Sequence, residues 1–172
     1  MSTLYLDTSA LVKLFVEEAG SSSVEAWAAS ASVLVTSRIT YAEARAALAR
    51  ARRIGTLSAS ELRRAVAELD AEFGTQAIVE VDEPLVFRAG RLAEEHALRG
   101  YDAVHLAAAL EASGDGDSFA FATFDGALAD AARREGLRVA GHAERVEERP
   151  VARYGSRRPR ASARVAASGR SR

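Results

Sequence analysis

Apolar residues recur along this chain in two rhythms. Short apolar runs at Thr3–Leu6, Val33–Thr36, Ala77–Val81, Phe119–Thr123 and Leu137–Ala140 predict buried strands. Between them apolar positions return at helical spacing. Ala10, Leu11, Leu14 and Phe15 form one such set, and Ser21–Ser23 cap a helix running to about Ser30. Thr40 opens a helix to about Arg53, ended by Gly55. Ser58 opens another, with Leu62, Val66, Leu69 and Phe73 on one stripe. Pro84 suits the first turn of a helix that runs to about Arg99, with Gly100 as its stop. Asp102 opens Ala103–Ala112, and Gly126–Glu135 is the last helix. Strands that alternate with helices predict an α/β fold, its mainly parallel five-stranded sheet covered on both faces. Ser113-Gly-Asp-Gly-Asp117 reads as a turn; it is too short for a calcium loop.

Of 172 residues, 48% are hydrophobic and 27% charged, enough for a sizeable core. No cysteine is present, which excludes disulfides, thiolate metal sites and cysteine nucleophiles. The N-terminus has no basic segment ahead of an apolar run, and no stretch of roughly 18 apolar residues occurs. The expectation is a cytoplasmic protein without a signal peptide, a membrane span or a membrane partner.

The net charge of −1 conceals an asymmetry. Residues 1–148 carry 15 basic and 24 acidic side chains, whereas 149–172 carry eight arginines and no acid. The expected division is a globular domain over 1–148 and a basic, disordered tail over 149–172, too poor in apolar residues to fold alone. Such asymmetry points toward a nucleic-acid partner.

Four acids occupy corresponding places. Asp7 follows the first strand, and Asp125 follows the fourth. Glu43 lies one turn into the helix after the second strand, and Asp102 opens a helix. Ligands of open parallel sheets bind beyond the carboxyl ends of the strands. Each acid also has a structural reading. Thr40 and Glu43 have capping-box spacing, and Asp7, Asp102 and Asp125 are acceptable helix caps. Four carboxylates on one rim would repel one another, and a divalent cation would hold them ionised. Oxygen ligands suit Mg²⁺ or Mn²⁺ rather than zinc.

The segment Leu4-Tyr-Leu-Asp-Thr-Ser-Ala-Leu-Val-Lys-Leu-Phe15 resembles the opening of a PIN domain, in particular of the VapC toxins. So do Ser37-Arg-Ile-Thr-Tyr-Ala-Glu43, Gly100-Tyr-Asp-Ala-Val-His-Leu-Ala107 and Phe121-Ala-Thr-Phe-Asp125, which follow in the family's order over about residues 2–142. This resemblance implies a three-layer α/β/α sandwich and an endoribonuclease dependent on Mg²⁺ or Mn²⁺. It places Asp7, Glu43, Asp102 and Asp125 at the family's acidic positions. Asp7 and Asp102 are then first choices for direct metal ligands, Glu43 is a ligand or holds a metal-bound water, Asp125 completes the acidic cup or binds a second ion, and Ser9 and Thr123 are supporting hydroxyls. It further implies an RNA substrate, tRNA or ribosomal RNA among them, a cognate VapB-type antitoxin and a homodimer. The tail after Arg149 departs from the family pattern.

Three rival readings remain at this level. A haloacid-dehalogenase-type phosphotransferase also places an Asp after its first strand, but wants a second Asp where this chain has Ser9. A PIN-fold nuclease outside any toxin pair and an inert PIN-like RNA-binding module share the fold. No Walker, Gly-x-Gly-x-x-Gly, His-Glu-x-x-His or Gly-x-Ser-x-Gly motif occurs. His105 reads either as a proton shuttle or as a buried residue on an apolar helix, and Trp27 as core or interface. His96 and His142 have no evident partner. Arg52, Arg53, Arg63 and Arg64 read as solvated helix faces or phosphate contacts.

Overall fold

A computed structural model describes residues 2–114 and 118–141. Four strands, β1 (Thr3–Leu6), β2 (Val33–Ser37), β3 (Ala77–Val79) and β4 (Phe119–Ala122), form one parallel sheet in the order β3-β2-β1-β4. Seven helices connect and cover them: α1 (Thr8–Leu11), α2 (Ser21–Ser30), α3 (Thr40–Arg53), α4 (Ala59–Glu72), α5 (Glu83–His96), α6 (Gly100–Ser113) and α7 (Gly126–Arg134). Short 3₁₀ turns continue α1 over Val12–Leu14 and α4 over Phe73–Thr75.

Side chains of a strand alternate between faces, and both faces here are apolar. Leu4, Leu6, Ala120 and Ala122 point into a core shared with Leu11, Val24, Leu48 and Leu69, from α1 to α4. Tyr5, Val35, Phe119 and Phe121 point the other way, against Leu85, Leu92, Leu106 and Leu128, from α5 to α7. The result is a three-layer α/β/α sandwich. Leu6, Leu69, Leu106 and Leu128 are fully buried, and truncating such a leucine to alanine costs about 2–5 kcal/mol.

The expected fifth strand is reduced to a single parallel bridge between Phe121 and Val139. Gly141 lies just beyond it at a φ of +82°, where a Cβ would stand 2.4 Å from Trp27. Gly100 does not stop α5 but begins α6. The stop is Ala97, in the left-handed region at φ 52°, with the Leu98 amide bonded to the Ala93 carbonyl. That bond and the packing of Leu98 against the second core are the marks of a Schellman-type end. Asp102 accordingly lies inside the first turn of α6 rather than at its cap. His142, the turn acids Asp115 and Asp117, the 148/149 division and the basic tail lie outside the described residues.

This strand order fixes where a ligand would bind. From β1 the chain proceeds outward to β2 and β3, then returns to place β4 on the other side of β1. The crevice at such a reversal, beyond the carboxyl ends of β1 and β4, is the natural binding site of an open parallel sheet. Asp7 and Asp125 follow these two strands.

Candidate active site

Asp7 leaves β1 and caps α1, its Oδ1 accepting the Ala10 amide at 2.8 Å. Ser9 Oγ lies 2.8 Å from Oδ1 and 3.0 Å from Oδ2, and Thr123 Oγ1 donates to Oδ2 at 2.6 Å. The two hydroxyls also tie Asp7 to the end of β4. Ser9 Oγ accepts the Phe124 amide at 2.8 Å, and Thr123 Oγ1 accepts the Asp125 amide at 3.1 Å. Asp7 is buried, and burial pushes its carboxyl above the usual range; the His105 charge and the bonds from Thr123, Ala10 and Ser9 pull back only partly.

Glu43 reaches the same crevice from α3. The Thr36 hydroxyl donates to the Leu6 carbonyl at 2.7 Å and lies 2.8 Å from the Thr40 hydroxyl, which pins the start of α3 to the sheet. Thr40 is therefore not a cap: Ile39 precedes the helix without a side-chain cap bond, and the capping-box reading of Thr40 and Glu43 fails. Glu43 Oε2 instead accepts from Thr8 Oγ1 at 2.6 Å and lies 2.8 Å from His105 Nε2. Burial raises its pKa, but the bonds from His105 and Thr8 and the charges of His105 and Arg99 outweigh it and hold the carboxyl below the usual range.

His105 lies one turn after Asp102 on α6 and is 2% exposed. Its Nδ1 lies 3.1 Å from the hydroxyl of Tyr5, which points from β1 into the second core. The buried reading of this histidine is correct, and it touches the site from within.

Asp102 and Asp125 form the outer part of the crevice. Asp125 caps α7, accepting the Leu128 amide at 3.0 Å. Arg99, just ahead of α6, spans both acids. Its Nε lies 2.6 Å and its Nη2 3.3 Å from the two Asp102 oxygens, and Nη2 lies 3.1 Å from Asp125 Oδ2. Nothing in the motif reading singled out Arg99, although an Arg three residues before an Asp at a helix start is a visible pairing signal.

The structure thus gathers Asp7, Glu43, Asp102 and Asp125, with Ser9 and Thr123 on Asp7, around one crevice. Exposure grades outward, from 4% at Asp7 to side-chain values of 18% at Asp102 and 32% at Asp125. The donors are all carboxylate oxygens, and a guanidinium cation already rests on three of them. That donor set fits a hard divalent cation such as Mg²⁺ or Mn²⁺.

Other charged groups stand elsewhere. Among the described residues, Glu95, His96 and Glu135 bring three ligand atoms within 4.8 Å of one another, closer than the crevice acids. There His96 Nε2 bonds Glu135 Oε1 at 2.8 Å where the ends of α5 and α7 meet. Arg52 and Arg53 are exposed in the last turn of α3, about 14 Å along the helix from Glu43. Trp27 packs on the first core and stacks against Phe124, with ring centroids 6.2 Å apart. No described helix is long and apolar enough to cross a membrane.

Residues 4–134 match the PIN domain family. The chain is 41% identical over 140 residues to Ribonuclease VapC45 of Mycobacterium tuberculosis (strain CDC 1551 / Oshkosh), covering 81% of this chain and 96% of that protein. The same figures hold for Ribonuclease VapC49 of Mycobacterium tuberculosis (strain ATCC 25618 / H37Rv). Its fold is similar to that of FitAcB from Neisseria gonorrhoeae, with a TM-score of 0.59 at 22% identity over 80% of this chain and 96% of that one. It is also similar to Mycobacterium tuberculosis VapC20, a sarcin-ricin loop cleaving toxin, with a TM-score of 0.57 at 21% identity over 74% and 94%. A match over residues 4–134, nearly all of the described residues, makes this chain a member of the PIN-domain family.

Proposed function

We propose that this chain is a divalent-metal-dependent endoribonuclease, acting as the toxin of a VapBC-type toxin–antitoxin pair. The observation that carries the reading is the convergence of four carboxylates at the β1/β4 reversal, on a chain 41% identical to two VapC ribonucleases. Asp7 and Asp102 would hold Mg²⁺ or Mn²⁺ directly, and Glu43 and Asp125 would complete the cup. The cation would polarise the phosphodiester and favour in-line attack by water.

The protein's own groups set the geometry. Ser9 and Thr123 fix both oxygens of Asp7, and the backbone amide of Ala10 holds its orientation. Thr8 and His105 fix Glu43 through Oε2. Asp7 is buried at the floor of the cup, and the partly exposed Asp125 stands at its mouth, where an RNA strand would enter. The substrate is RNA, with tRNA and ribosomal RNA as the first to test. A VapB-type antitoxin is the expected inhibitor, and the cytoplasm the expected site of action. Val86, Phe87 and Tyr101, between 49% and 62% exposed, offer apolar surface for a homodimer.

Purified protein incubated with total RNA and Mn²⁺ or Mg²⁺, beside an EDTA control and Asp7→Asn, tests the activity. Discrete fragments that need both the metal and Asp7 are expected. No cleavage with any metal by folded, antitoxin-free protein, or equal cleavage by Asp7→Asn, overturns the assignment.

A further inference from the structure

Arg99 lies on the mouth of the carboxylate cup and uses three of its oxygens, both of Asp102 and Oδ2 of Asp125. Its field also reaches Glu43. The side chain is 77% exposed, so its arm is anchored only at the guanidinium. A bidentate fork on one carboxylate with a second carboxylate on the same nitrogen is a strong charge-assisted arrangement. A divalent cation drawn to Asp102 and Asp125 would meet this positive charge on the same two carboxylates.

We propose that Arg99 is a built-in counter-ion of the cup, which competes with the divalent cation for Asp102 and Asp125 and, once displaced, binds the phosphate of the RNA at the scissile position. The inference rests on the metal-dependent nuclease reading above. Two physical points carry it. First, a guanidinium and a divalent cation draw on the charge of the same two carboxylates and repel each other there, so each weakens the other's binding. Second, a long exposed arm rooted at the start of α6 cannot travel far. Its freed fork stays at the mouth, where an incoming phosphodiester must pass an otherwise acidic rim. Arg matches phosphate with the same two-pronged geometry it uses on carboxylate. One side chain thereby lowers self-repulsion in the cup and supplies positive charge where the acids would repel RNA.

The test combines Mn²⁺ binding by calorimetry, with no RNA present, and single-turnover cleavage of an RNA substrate at saturating Mn²⁺. Arg99→Gln is expected to bind Mn²⁺ about three- to tenfold more tightly than wild type, because a competing exposed ion pair is gone. At saturating Mn²⁺ the same variant is expected to lose at least about tenfold in kcat/KM. Arg99→Lys keeps the charge without the fork. It is expected to bind Mn²⁺ within about twofold of wild type and to recover part of the cleavage lost in Arg99→Gln. Unchanged or weaker Mn²⁺ binding by Arg99→Gln overturns the competition. Full cleavage by Arg99→Gln at saturating Mn²⁺ overturns the phosphate role. Both failures leave the nuclease assignment standing so long as wild type binds Mn²⁺ and cuts. Wild-type protein that does neither overturns both.

Discussion

His105 Nε2 sits 2.8 Å from Glu43 Oε2, and the opposite ring nitrogen sits 3.1 Å from the Tyr5 hydroxyl. The ring bridges the carboxylate and the phenol, and each contact orients it. Tyr5→Phe leaves Nδ1 buried without its partner, at a cost of about 1–3 kcal/mol in urea unfolding. His105→Ala frees Glu43 from its orienting partner, and about a 10–100-fold loss of cleavage is expected. A Tyr5→Phe variant as stable as wild type would show that the hydroxyl does not hold the ring.

The raised pKa of Asp7 makes a prediction with a definite sign. Burial dominates, so the folded protein holds the Asp7 proton more tightly than the unfolded chain does. This stabilisation is complete below the ordinary aspartate pKa and is lost as pH rises through the folded value. Asp7→Asn carries no charge to desolvate. In EDTA its Tm should exceed that of wild type at neutral pH, and the gap should close as pH falls below the ordinary aspartate range. A gap that widens toward acid contradicts the assigned shift.

Thr123→Val keeps the shape of a buried residue but removes the donor to Asp7 Oδ2 and the acceptor of the Asp125 amide. Its expected cost is about 1–3 kcal/mol in denaturant unfolding. Cleavage should fall as well, because both acids lose a shared tether. Ser9→Ala should do less to Asp7, since the Ala10 amide still holds Oδ1.

Gly20 couples a loop to the site. Its φ is +86°, and a Cβ would stand 2.5 Å from Phe124 Cε1. Phe124 stacks on Trp27, carries Lys13 Nζ 4.3 Å from its ring centroid, and precedes Asp125. Gly20→Ala must strain the backbone, at about 1–3 kcal/mol, and push this ring. Lower stability together with lower cleavage is expected; loss of stability alone would mean that the ring yields without moving Asp125.

Local signals revealed what is set locally. The ends of β1, the span of α3 and the opening of α4 at Ser58 follow from apolar runs and capping chemistry, and Ser58 and Glu61 form the capping box. The two clear departures sit at tertiary contacts. α5 ends at Ala97 because Leu98 folds back into the core, and Gly100 is then free to begin α6. The fifth strand is one bridge, at Val139, beside Gly141, whose backbone lies close against Trp27. In the site, Asp7 and Asp125, with Ser9 and Thr123 beside them, were visible next to strand ends, and Glu43 and Asp102 near helix starts. The bond from Glu43 to His105 was not, since 62 residues separate them and helical spacing favoured a capping role. Arg99 escaped for another reason: among many surface arginines, only the position of Asp125 distinguishes it.

The parallel sheet also has a consequence for the order in which the protein becomes dangerous. Thr3 of β1 pairs with Val33, but its other neighbour, Phe119, is synthesised 116 residues later. No hairpin within this sheet can close early, and the last acid of the cup follows that final strand. A nascent chain halted before Asp125 therefore carries at most three of the four carboxylates and lacks the tether at Thr123 or the cap at α7. The cup closes only when β4 joins β1, after the other three strands of the sheet have been made.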